Sequence, residues 1–115
     1  MDPRVRAIVP ALIDLLNLEQ QFIHHWEAYG FYTPAVKDYV EFDLPCRSLT
    51  PAGQELLGII DPYSYRECYT MPKLILNSAG DQLFVSDSSR YYYDDLPETK
   101  SLRYSVKPFR LIIQM

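Results

Sequence analysis

The chain has 115 residues, 48% hydrophobic and 14% aromatic, with a formal net charge of −4. That length suits one modest domain burying roughly two-thirds of its unfolded surface, and that composition excludes a disordered chain. The acidic balance gives no reason to expect a nucleic-acid partner, and no apolar run reaches the ~20 residues of a membrane span.

Val5 to Val9, "VRAIV", reads as a short buried strand stopped near Pro10. Leu12, Leu15, Leu16, Phe22, Ile23, Trp26 and Tyr29 then recur at three- and four-residue steps, one face of an amphipathic helix ending near Gly30. Asn17 leaves room for a break within it. Thr33-Pro34 and Thr50-Pro51 have the same start chemistry, a side-chain oxygen able to cap followed by proline at the first helical position. They open "AVKDYVEF" and "AGQELLGII", with "DLPCRS" as a loop between them and Asp61-Pro62 as the second stop.

Beyond Met71-Pro72, "KLILN" is short, apolar and bounded by turn residues, which predicts a buried strand. Ser86 or Asp87 can cap a helix over "SSRYYYDDL", ended by Pro97, and "SLRYSV" alternates as a final strand. The order is strand, three helices, strand, helix, strand. Parallel strands joined by helical crossovers fit it, so the fold class is α/β.

The charge is unevenly spread. Lys100, Arg103, Lys107 and Arg110 follow residue 99 with no acid among them, while the first 99 residues hold seven basic against fifteen acidic side chains. The basic end reads as a solvated terminus or as a contact for an acidic partner. Met-Asp-Pro-Arg does not open a signal peptide, so as written the chain reads as soluble and intracellular. Cys46 and Cys68 lack metal-type spacing and read as reduced thiols, with a disulfide as the alternative.

"VRAIVPALIDLLNL", "HHWEAYGFYTPAVKDYV" and above all "DPYSYRECYTMPKLILNSAGDQLFVSDSSRYYYDDLP" resemble the PhoPQ-activated pathogenicity-related proteins, which are of α/β-hydrolase type. The resemblance runs from about Val5 to Tyr104. It implies a domain portion over 1–106, with 107–115 as a divergent basic and apolar tail. It also implies the C-terminal half of the family domain: a partial parallel sheet of about three strands, with a helical insertion between the first two. Full-length members of the family look exported.

On the same resemblance Asp81 corresponds to the acid of a Ser–Asp–His triad, held where a strand ends so that it can orient an imidazole. From the residues alone, Gly80-Asp81 reads first as an Asx turn at a strand exit. Asp87 competes for the acid role, with capping of the next helix as its other reading. The two partners of an acid are missing. No G-x-S-x-G occurs, and where the family runs through a Pro-Asn turn into a histidine, this chain reads "SVKPFRLIIQM".

His24 and His25 are the only histidines; neighbours on a helix point about 100° apart and do not share a ligand. Each reads as a partly buried polar residue beside Trp26 or as a base. Ser78, Ser86, Ser88 and Ser89 read as turn and cap residues, and Arg90 as a surface ion-pair partner. Tyr91, Tyr92 and Trp26 would line a binding groove if they shared an exposed concave surface.

The expectation is therefore a truncated hydrolase-like chain without activity of its own, and with no metal or cofactor. Two alternatives stand beside it: a hydrolase completed by another chain, with Asp81 as its acid, and an aromatic-groove binding module. Half of a parallel sheet exposes an edge, so self-association or pairing with an N-terminal half is expected.

Overall fold

The computed structural model describes residue 2, residues 4–11 and residues 14–106. Four α-helices run Leu18–Tyr29 (α1), Lys37–Glu41 (α2), Leu44–Arg47 (α3) and Pro51–Ile60 (α4). The strands are Lys73–Ser78 (β1) and Lys100–Ser105 (β2), and 3-10 turns cover Pro34–Val36, Pro62–Cys68 and Ser88–Tyr91. The strands pair in parallel, Lys73 opposite Lys100 through Ser78 opposite Ser105. This is an α/β arrangement.

The expected strand at Val5–Val9 is reduced to two isolated parallel bridges, Ile8 to Lys73 and Ala11 to Leu76. The reason is local: Pro10 has no N–H to donate, and among the described residues nothing pairs with the outer edge of this segment. Among the described residues the sheet therefore has two strands, with Ile8 and Ala11 bridged in parallel to β1. Its centre is still β1, because the Leu74 and Leu76 amides reach back to the carbonyls of Ile8 and Pro10.

Helix α1 starts after Asn17, which sits at φ 63 and breaks the apolar repeat there. Residue 12 of that repeat lies outside the described residues. The helix stops at Gly30, whose φ of 72 favours glycine. The two Thr-Pro starts diverge. Thr50 caps α4 by accepting the Gly53 amide at 3.1 Å, whereas Thr33 makes no cap bond and is followed by a 3-10 turn before α2.

Two expectations fail. "DLPCRS" holds a short helix, α3, entered through Asp43 at φ 54. The helix expected over "SSRYYYDDL" is only the 3-10 turn Ser88–Tyr91. Tyr92 leaves helical geometry (φ −146) and is 1% exposed, because its ring joins Ile75 and Leu96 in the core. Burying one large aromatic outweighs the propagation of a short helix with three consecutive β-favouring tyrosines.

The facing lysines of the two strands hold the loop before β2. Lys73 Nζ donates to Pro97 O at 2.6 Å, and Lys100 Nζ donates to Leu96 O at 2.8 Å and Asp94 O at 3.0 Å. Lys73 is buried, and burial pushes its ammonium below the ordinary lysine value. Among the described residues no helix is long and apolar enough to cross a membrane. The tail from Lys107 onward lies outside the described residues.

Candidate functional site

Polar side chains gather where the strands end, the usual place for a site on a parallel sheet. Asn77, next to last in β1, hydrogen-bonds the buried Tyr92 hydroxyl at 3.3 Å. Both side chains also hydrogen-bond the carboxyl of Asp14, which enters just beyond the Ala11 bridge. Asp14 is 5% exposed, and burial, opposed only in part by these bonds, pushes its carboxyl up to about 6. Ser89 and Tyr104 continue the cluster toward β2, their hydroxyls 2.7 Å apart.

Asp81 lies three residues beyond the end of β1. Its Oδ1 accepts the Leu83 amide at 2.7 Å and the Phe84 amide at 3.3 Å. That is Asx-turn geometry, which fixes the carboxylate relative to its own loop. The loop is tied down further by Thr33, whose hydroxyl donates to Gln82 O at 3.3 Å.

Both histidines are buried on α1, more deeply than their position beside an exposed Trp26 suggests. His25 Nε2 accepts the Thr33 amide at 3.2 Å, and the ring also hydrogen-bonds the Leu83 backbone. Its burial, then the neighbouring His24, hold its pKa below the ordinary value.

His24 Nε2 lies 2.6 Å from Asp87 Oδ1, while Arg90 donates to Asp87 Oδ2 at 3.2 Å. Asp87 stands at the start of the 3-10 turn but makes no side-chain cap bond. Its expected capping role is thus replaced by a tie to α1. The hydrogen bond from His24 holds its carboxyl below the usual carboxylate range, with Arg90 adding to the effect. Tyr91 packs on the His24 ring at 5.0 Å, and Arg90 lies over the Tyr91 ring at 5.1 Å.

Of the serines, Ser88 is buried with its hydroxyl unpartnered among the described residues, and Ser78 Oγ accepts the Gly80 amide at 3.3 Å. The aromatic groove does not form as expected, since Tyr92 is interior while Trp26 is 52% exposed and rests against Tyr32. Cys46 and Cys68 are both exposed free thiols. Among the described residues no group of three metal-type ligands converges.

The residues that sequence reasoning missed are Asp14, Asn77 and Asp61. Asp14 sits in an apolar stretch as an isolated acid, which was the one available signal. Asp61 was read only as a helix stop. In the fold it is buried and receives three backbone amides, Leu18 at 2.7 Å, Tyr63 at 2.9 Å and Asn17 at 3.3 Å.

Helices around a small parallel sheet, with carboxyl groups collected where its strands end, define a protein of the α/β class. Residues 1–108 match the family described as PhoPQ-activated pathogenicity-related protein, and the chain belongs to that family. Over 108 residues it is 34% identical to the "Autocrine proliferation repressor protein A" of Dictyostelium discoideum, covering 94% of this chain and 22% of that protein. The chain thus spans about a fifth of that relative's length. No solved structure matches it.

Proposed function

We propose that this chain carries the acid-bearing portion of an α/β-hydrolase-like site and has no hydrolytic activity by itself. The observation that supports this best is the position of Asp81, in the loop leaving β1 beside a parallel β2, with its Oδ1 held by two backbone amides. A triad acid needs such a fixed loop, because its work is to orient another side chain. Inertness follows from what these 115 residues contain: no G-x-S-x-G, and two histidines that are both engaged elsewhere.

A second reading is a hydrolase completed by another polypeptide, with Asp81 orienting that polypeptide's histidine. Large apolar side chains at the surface favour association of this kind; Ile59 is 68% exposed and Phe42 67%. Among the described residues nothing pairs with the outer edge of residues 4–11.

Hydrolysis of short-chain acyl esters separates the two. The chain alone is expected to show no turnover above buffer. Mixed with an upstream family segment bearing G-x-S-x-G, the second reading expects turnover that Asp81→Asn lowers by about 10³–10⁴-fold, the scale on which a mis-set triad histidine costs rate. Turnover by the chain alone would remove the first reading, and unchanged turnover in Asp81→Asn would remove the role of Asp81.

A further inference from the structure

We propose that the Asp14 carboxyl is a proton-operated latch: protonated, it closes residues 4–11 onto β1, and ionised, it loosens them. The proposal does not depend on any role for Asp81. Residues 4–11 meet β1 through few backbone bonds, namely Ile8 N–H to Pro72 O at 3.0 Å, Leu74 N–H to Ile8 O at 3.1 Å and Leu76 N–H to Pro10 O at 3.0 Å. Three positions after Ala11, Asp14 is buried against Asn77 of β1 and Tyr92 of the following loop.

Asp14 Oδ1 and Asn77 Oδ1 are both buried and both lack a hydrogen-bond partner among the described residues. Both are acceptors while the carboxyl is ionised, so two buried lone-pair atoms go unmet. A proton on Asp14 changes the count, since its O–H can donate where a carboxylate cannot. The surrounding groups favour that proton. Asp81 and Asp87 act on Asp14 as like charges, and Tyr92, with Tyr104 behind it, offers hydroxyls rather than a cation. Among the described residues His24 and Arg90 are engaged with Asp87.

Ionisation therefore leaves a buried charge with no counter-ion among the described residues. It is relieved most cheaply by letting Asp14 reach water together with the segment that carries it. The pKa of about 6 sets the change in the mildly acidic range. Opening would uncover the Leu74 and Leu76 amides but leave β1 paired to β2.

Amide hydrogen exchange on the full chain tests this, read by NMR at about pH 5 and about pH 7.5 and corrected for intrinsic exchange. Protection of Leu74 and Leu76 is expected to fall about tenfold between the two, as a folded pKa near 6 and an ordinary open-state value require. Protection of Lys73 and Ala79, which donate to Thr99 and Ser105, should hold. In Asp14→Asn, Leu74 and Leu76 should be equally protected at both pH values. Equal protection in the wild type, an undiminished fall in Asp14→Asn, or a parallel fall of all four amides would each overturn the latch. If Asp14→Asn does not fold, the Asp14 carboxyl carbon decides in the wild type. A midpoint near 6 that tracks the loss of protection supports the proposal, and one near 4 overturns it.

Discussion

The Asp61 carboxylate accepts the backbone amide of Leu18 at 2.7 Å, so the first turn of α1 is capped by a side chain 43 residues further along the chain. Asn17, at the cap position itself, makes no side-chain cap bond, and donates its amide nitrogen to Tyr91 O at 2.9 Å instead. The negative charge of Asp61 also meets the positive end of the α1 dipole. One buried carboxylate thereby joins α1, the end of α4 and the turn Pro62–Cys68.

Removing it should be expensive. Asp61→Ala leaves three amides short of an acceptor and is expected to cost about 2–4 kcal/mol, on the scale of charge-assisted hydrogen bonds lost in a buried site. Asp61→Asn keeps an acceptor and should lose about half as much. Urea unfolding of the three proteins measures this, and equal stability of Asp61→Ala and wild type would contradict the trans-cap.

Gly53 should reverse a familiar rule. Alanine ordinarily stabilises a helix relative to glycine by about 1 kcal/mol. A Cβ at Gly53, however, would lie 1.9 Å from the Arg47 carbonyl oxygen and 2.9 Å from Ser48 Cα. The obstacle is backbone, so Gly53→Ala should destabilise by about 1–3 kcal/mol, the range for overpacking. Gly58→Ala in the same helix, where nothing lies within 4 Å, serves as the control and should stabilise.

The His24–Asp87 contact predicts a coupling across the domain. A double-mutant cycle of His24→Gln and Asp87→Asn should return about 0.5–1.5 kcal/mol, modest because Asp87 is half exposed and its charge is screened. The Asp87 pKa is depressed in the folded chain. Its contribution is thus present above the ordinary aspartate value and lost as pH falls through the folded one. A coupling of zero at neutral pH would show that the two side chains are neighbours only.

Two buried groups should shape the stability profile in opposite directions. Asp14 titrates higher folded, at about 6 against 3.8, so stability falls as pH rises across that interval and is flat above it. Between about pH 3.5 and 8, Asp14→Asn should gain at most about 3 kcal/mol relative to wild type. His25 is depressed by burial, so its part is full above the ordinary histidine value and lost as pH falls below it. His25→Gln should flatten that acidic arm, and thermal melts across pH read both effects.

Much of the local structure was legible from residue order. Gly30 ends α1, Thr50-Pro51 opens α4, turn residues bound the apolar run of β1, and alternation marks β2, because each of these signals acts within a few residues of itself. The family blocks around Asp81 were legible too, since they are strings of side chains rather than shapes. The composition of "VRAIV" pointed to a strand because five apolar-rich residues cannot report whether a second neighbour will complete their pairing.

Only the tertiary structure decided which polar groups meet. Asp14, Asn77 and Tyr92 converge from three separate stretches, Asp61 caps a helix it does not belong to, and Asp87 turns from its own helix start to His24. Each choice depends on distance in space and on removal from water, which set hydrogen-bond strength and ionisation. Sequence spacing encodes neither. The residues therefore announced an α/β chain with an acid-bearing loop, and folding alone determined that the carboxyls of Asp14 and Asp61 are buried.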